Sequence, residues 1–319
     1  MKKILTSLTV LACLSAAPAM TQAAEPLKLV VGFPAGGGAD ALARIVANEL
    51  STALNQSVVV DNKPGAGGTI ASGYIARSSP TSNELLFGDT SMLIAPNMYK
   101  QVTYKWDKDF TPVAMAAAAD FVIAVPPDSP IKNFADYIKM AKEKPGFYTY
   151  GSSGVGSIHH LAGEMLQTLA DIKVTHVPYR GGNQSMQAVA SGDVTMAIAS
   201  LGAALPYLQG KKVRVIAMLA DFKYTGLENI PAASETLPEY KDIAPSLFIL
   251  APKGFDSAKV QAISDALKKA VQTDKVKNAM TLQGSRAMFK DSKELAEWMP
   301  VEAKKWTDVI NNAHITFEK

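Results

Sequence analysis

The sequence predicts an α/β protein of two lobes, each a doubly wound sheet, joined by hinge strands. Three observations lead there. Short apolar runs alternate with helix-periodic stretches from Leu27 onward, the alternation restarts after Val125, and a strand-like apolar run returns late at Leu247–Ala251. Strands alternating with helices imply largely parallel sheets covered on both faces. Two crossings between two such units imply a hinge, and hinged lobes commonly close on ligands.

The chain opens with Met1-Lys2-Lys3, an apolar run from Ile4 to about Ala19, and small residues around Ala17-Pro18-Ala19 and Thr21-Gln22-Ala23. This order of charge, apolar core and small residues is that of a secretory signal peptide, expected over 1–23 with cleavage after Ala23. No later stretch approaches the ~20 uninterrupted apolar residues of a membrane span. The mature protein is therefore expected to be soluble outside the cytoplasm. Cys13, the one cysteine, lies inside the apolar run, so the mature chain has no disulfide and no thiol ligand or nucleophile. A lipoprotein anchor at Cys13 would require an unusually short apolar segment before it. Two of the 32 basic residues leave with the signal, and the rest nearly balance 29 acidic ones. No basic stripe suggests a nucleic-acid partner.

Leu27–Phe33 reads as a strand ending in Pro34-Ala35-Gly36-Gly37-Gly38, and 39–54 has helical spacing through Leu42, Ile45, Val46 and Leu50. A strand at Val58–Val60, a glycine turn at 65–68, a helix at about 69–77, a strand at 84–88 and a helix near 92–99 follow. Phe121–Val125 reads as a buried strand stopped by Pro126-Pro127, and the first crossing is placed there. Strands then recur at 148–150, 174–177, 194–199 and 213–219, with helices at about 158–169, 184–191 and 203–209. After a weak stretch, Leu247–Ala251 returns the chain to the first lobe, followed by helices at 259–273, 274–282 and 293–312. The expected division is 24–125 plus 246–319 for one lobe and 126–245 for the other.

Three glycine-rich turns, at 33–40, 63–69 and 151–157, sit where strands lead into helices. Such turns aim backbone amides and the positive end of a helix at an anion, and glycine permits the close approach. Gly36-Gly37-Gly38-Ala39-Asp40-Ala41 also satisfies G-x-G-x-x-A, with Asp61 ending the next strand, so an NAD-dependent oxidoreductase using the Gly36–Gly38 loop is the alternative reading. Against it, Asp40 would set a carboxylate beside a pyrophosphate, and the other two turns would go unexplained. No Gly-Lys-Ser/Thr P-loop follows either glycine turn of the first lobe, and Val155 breaks G-x-S-x-G at the third. His159 and His160 are adjacent and about 100° apart on a helix, and His176 and His314 lack ligand-spaced companions, so no metal site is expected. His160, just past the third turn, could touch a ligand. Val177-Pro178-Tyr179-Arg180-Gly181-Gly182-Asn183 places a guanidinium able to pair with a carboxylate beside an aromatic wall.

At these loops the sequence resembles the tripartite tricarboxylate transporter receptor family, the Bug-type solute receptors, from about Leu27 to Ile315. The resemblance rests on Phe33 to Asp40, Asn62-Lys63-Pro64-Gly65-Ala66-Gly67-Gly68, Tyr150 to Ser157 leading to His160-Leu161-Ala162, and His176-Val177-Pro178-Tyr179-Arg180-Gly181. It implies a two-lobed, periplasmic-binding-protein-like (type II-like) receptor that is not an enzyme and has no cofactor or catalytic residue. Its first and third loops would grip a small organic carboxylate and present it to membrane subunits of a transporter, the receptor acting as a monomer. Carried over residue by residue, the ligand-binding set is Phe33, Ala35, Gly36, Gly37, Asp40, Gly67, Gly68, Thr69, Thr90, Ser153, Gly154, Ser157, Tyr179 and Arg180. The sequence departs from the family pattern at Pro80–Glu84, at Thr195 and at Ala244–Phe248, which lacks a tryptophan. Which carboxylate binds, among dicarboxylates, tricarboxylates, aromatic acids and amino acids, is left open.

Overall fold

A computed structural model describes residues 25–241 and 243–313. The expected signal peptide with Cys13, and His314, lie outside the described residues. In chain order the elements are β1 (Leu27–Val31), α1 (Gly38–Leu54), β2 (Val58–Asn62), α2 (Thr69–Ala76), β3 (Glu84–Asp89), α3 (Ser91–Met98) and β4 (Phe110–Ala119). Next come β5 (Phe121–Val125), α4 (Phe134–Glu143), β6 (Thr149–Ser152), α5 (Ile158–Ala170), β7 (Thr175–Pro178), α6 (Gly182–Ser191), β8 (Met196–Ser200), α7 (Leu201–Gln209) and β9 (Arg214–Met218). The chain finishes with β10 (Ser246–Pro252), α8 (Ser257–Gln272), α9 (Asp274–Leu282), β11 (Ser285–Lys290) and α10 (Ser292–Asn312).

One sheet has the order β11-β4-β10-β3-β1-β2 and the other β7-β6-β8-β5-β9. β1 shows why its strand reads as an uninterrupted apolar run. Leu29 and Val31 pack with Leu42, Val46 and Leu50 of α1 and Leu267 of α8, whereas Val30 turns to the opposite face against Ile75 of α2 and Leu295 of α10. Both faces are covered, so neither alternate set can be polar. α1 stops where Asn55 adopts the left-handed conformation and its N–H returns to Ser51 O.

Four expectations need correction. The sheets are mixed rather than largely parallel: β1 runs parallel to β2 and β3, and β6 to β7 and β8, but β10, β11 and β5 all pair antiparallel to their neighbours. The chain passes directly from β4 to β5 through Asp120, whereas the return from β9 to β10 runs through a longer segment between Met218 and Ser246. Strands β4 and β11 were not anticipated. The alanine-rich segment Phe110–Ala119 has no period-two polarity because Val113 through Ala118 are all buried, and short side chains there let α8 and α10 close over the strand. The crossing falls at Asp120, so Phe121–Val125 belongs to the second sheet, not the first lobe. Finally, α10 does not stay with the first lobe. Leu295 and Met299 pack there, while Trp306 and Ile310 join a core with Leu161, Leu166 and Tyr240 of the second.

The crossing is braced by a buried charge. Asp120, fully buried, accepts from Arg286 Nε of β11 at 3.0 Å and from Tyr224 Oη of the second lobe at 2.8 Å. Beside it, the turn entering β11 lies directly on the start of α7. A Cβ on Gly284 (φ +63°) would approach the backbone of Gly202 and Leu201 too closely to be accommodated.

Candidate functional site: an anion-binding cleft between the lobes

A cleft runs between the carboxyl ends of the parallel strands of the two sheets, the edge where open α/β sheets place ligands. Its wider half, about 550 Å³, is walled by Phe33 and Gly36 to Ala39 from the first lobe and by Gly181 to Asn183, Ser200, Gly202 and Ala203 from the second. The narrower half, about 300 Å³, is walled by Gly67 and Ser91 on one side and Ser153 and Val155 to Ile158 on the other. Phe33, Asp89, Phe121, His159 and Pro245 border both halves.

The first turn owes its shape to Asp40. Its buried carboxylate accepts from Gly36 N at 3.0 Å, from Arg44 Nε at 2.9 Å and Nη2 at 3.0 Å, and from Asn62 Nδ2 at 3.0 Å. The Arg44 bonds and the turn amide hold its pKa at about 2 against the opposing effect of burial. Gly36, at φ +80°, makes the bend, and Gly37 opens α1 with no side-chain cap. The amides at the start of α1 therefore face the cleft, with the positive end of a 17-residue helix behind them. The second turn lies across the first: a Cβ on Gly32 would sit 2.6 Å from Gly68 Cα.

The third turn is held by histidines instead. Ser152 Oγ shares a 2.7 Å hydrogen bond with His176 Nε2, Ser153 Oγ shares one of 2.7 Å with His159 Nδ1, and Gly156 N donates to His160 Nδ1 at 3.0 Å. His160 stacks on His176 with centroids 3.9 Å apart, and His159 on Phe121 at 4.0 Å. Burial lowers all three to about 4, with His176 further disfavouring charge on His160, so they are neutral at pH 7. Ser157 caps α5, accepting from His160 N at 3.2 Å. Gly181 opens α6 without a side-chain cap, and Ser200 opens α7.

Four helices from two lobes thus point their amino ends into one cleft. Among the described residues that line it, none is lysine or arginine. An anion here is met by backbone amides and helix dipoles, with no basic side chain in the wall.

The carried-over residues divide under this geometry. Phe33, Gly36, Gly37, Gly67, Ser153 and Ser157 line the cleft, and Gly68 lies just beneath, beside Phe33. Asp40 does not line it, since its carboxylate is consumed in shaping the first turn. Ala35 projects into solvent. Thr69 folds its hydroxyl onto Ala66 O at 2.9 Å and borders a separate surface depression. Thr90 is fully buried, exchanging hydrogen bonds with Ser246 across β3 and β10. Gly154, at φ +127°, bends the third turn, Tyr179 packs over Gly151, and Arg180 is exposed outside the cleft. Among the lining residues that the sequence reading did not select, two stand beside residues it did select. His159 lines both halves, where His160 had been the candidate, and its Nε2 is buried with no hydrogen-bond partner. Asp89 stands where Thr90 was expected.

Two hinged α/β lobes with converging helix ends define a solute receptor of the periplasmic binding class. The family described as tripartite tricarboxylate transporter family receptor matches residues 42–315, and the chain belongs to that family. It is 31% identical to the UPF0065 protein in the tcbD-tcbE intergenic region of Pseudomonas sp. strain P51, over 90% of this chain and 85% of that one. Among solved structures, R. palustris Rpa4515 with adipate superposes with a TM-score of 0.81 at 27% identity, covering 92% of this chain and 98% of that one. MatC from Rhodopseudomonas palustris with bound malate gives 0.73 at 26%, covering 89% and 98%. The family is one of receptors, and the oxidoreductase alternative finds no support. Asp61, which would have bound the cofactor ribose, is ion-paired with Lys63 at 3.0 Å and does not line the cleft.

Proposed function

We propose that the chain is an extracytoplasmic receptor that captures a small organic carboxylate between its lobes and delivers it to the membrane subunits of a tripartite tricarboxylate-type transporter. The observation that carries this reading is the convergence of helix amino ends from both lobes on a cleft with no basic side chain. A carboxylate bridging the first turn and the starts of α5, α6 or α7 is held only when the lobes are together, so binding favours the closed form. Adipate and malate in the two Rhodopseudomonas relatives support a carboxylate as the ligand class. On this reading the protein is exported by cleavage after Ala23, works as a monomer in the periplasm, and hinges at Asp120 and Pro245. No helix among the described residues is long and apolar enough to cross a membrane.

The test is calorimetric titration of protein unfolded and refolded to strip carried-over ligand, against aliphatic dicarboxylates, citrate, aromatic acids, acidic amino acids and NAD. Saturable binding of a carboxylate without turnover is the expected result. Binding of NAD alone would return the oxidoreductase reading.

A further inference from the structure

Asp89 is the anomaly of a cleft otherwise arranged for an anion. It ends β3, the strand beside β1. The register Val31↔Phe87 brings Asp89 level with Phe33 of the first turn. It borders both halves of the cleft, between the first turn and His159 of the third. One carboxylate oxygen accepts from Ser91 N at 3.0 Å. Among the described residues Asp89 forms no salt bridge, and its partners are confined to Ser91.

Accepting from Ser91 N does not require this side chain, since a serine hydroxyl or an asparagine amide oxygen accepts as well without bringing a charge. Nor does the anion require it, because amides and hydroxyls already supply donors and Asp89 supplies an acceptor. A carboxylate ligand beside an ionised Asp89 with no cation between them would be repelled. The neighbouring titratable group, His159, is neutral at pH 7 and gives no compensating charge. The positive charge that balances the site must therefore arrive with the ligand.

We infer that the ligand is an aminocarboxylate, whose carboxylate is held by the helix amino ends while its ammonium group pairs with Asp89. The inference rests on the receptor reading and narrows its ligand class. Burial raises the Asp89 pKa to about 6, the behaviour of a carboxylate surrounded by protein and lacking a cation. A bound ammonium would reverse that shift.

The experiment is titration calorimetry at pH 7.5 with matched pairs differing only in the ammonium group: succinate and aspartate, glutarate and glutamate, adipate and 2-aminoadipate. The ammonium-bearing member of at least one pair is expected to bind about tenfold tighter or more, the scale of a charge-assisted hydrogen bond. Asp89→Asn, which keeps an acceptor for Ser91 N, is expected to erase that preference, with the plain acid's affinity rising as the repulsion is removed. If Asp89→Asn does not fold, Asp89→Ser serves, and the wild-type pairs alone still decide. Plain acids binding as tightly as their amino partners in wild-type protein, or a preference that survives in Asp89→Asn, overturns the inference and leaves the receptor intact. Failure of every carboxylate to bind overturns the receptor reading itself.

Discussion

The first and third glycine turns belong to different lobes and line the wider and the narrower half of the cleft, and they are held by opposite chemistries. The first is clamped by a permanent charge, Asp40 with Arg44 and Asn62. The third is clamped by three neutral imidazoles and the serines and glycine they touch. What a carboxylate needs is backbone geometry, and either kind of side chain can impose it. The two jaws therefore share a function and differ in how they respond to mutation and acid.

The largest effect should come from blocking the amides without touching either clamp. A Cβ on Gly38 meets no atom within 4 Å, and one on Gly182 meets only Ala203 Cβ at 3.5 Å. Gly38→Val and Gly182→Val should both fold with near wild-type melting and each lose at least about 100-fold in affinity, about 2.7 kcal/mol. Calorimetry and circular dichroism check this. Loss at Gly38 alone would mean that only the first lobe grips.

Next is Asp40→Ala, which leaves Gly36 N, Arg44 and Asn62 without their shared acceptor. A destabilisation of about 2 kcal/mol in urea unfolding is expected, with affinity falling about tenfold as the turn loosens. Arg44 is largely exposed and finds water, which keeps the cost from being larger.

Acid should separate the jaws. The histidines' folded pKa values lie near 4, below the ordinary 6.5, so the unfolded chain binds more protons between those limits. Their contribution to stability is complete above pH 6.5 and is lost as pH falls toward 4. Asp40, depressed from 3.8 to about 2, keeps its contribution until pH falls below 3.8. Asp89 works in the opposite sense, since its raised pKa means stability lost as pH rises from 3.8 through 6. Three histidines outnumber Asp89 and Glu164, whose pKa burial also raises, and leave a net loss between pH 6.5 and 4, measurable as a falling urea midpoint. The smallest effect is at one histidine: His160→Asn, whose amide oxygen can accept from Gly156 N–H, should remove one of the three histidine contributions to that pH slope while costing less than about 1 kcal/mol at pH 7.

The same contrast explains what could be read in the sequence. Glycine turns between an apolar run and a helical period are local features, so the three loops, most elements and the anion-binding character were legible. Strand β4 was not, because an alanine run buried on both faces has neither period. The crossing was set after Val125 because Pro126-Pro127 is a strong local stop, whereas the true break at Asp120 is defined by Arg286 and Tyr224, which are distant in sequence. Thr90 missed the cleft by one residue, since neighbours at a strand end face opposite ways. Its hydroxyl turns to Ser246, and Asp89 takes the cleft. His159 was passed over for His160 for the same kind of reason: adjacent helical positions diverge by about 100°, and only the stacking of Phe121, the first residue past the crossing, shows which one faces inward.

The central claim is that amides from both lobes hold one carboxylate, and titration followed by amide chemical shifts in ¹⁵N-labelled, ligand-stripped protein tests it most directly. Gly38 and Ala39 in one lobe, and Gly182 and Asn183 in the other, should shift together and saturate with a single dissociation constant. Shifts confined to one lobe, or saturating at different concentrations in the two, would contradict the account.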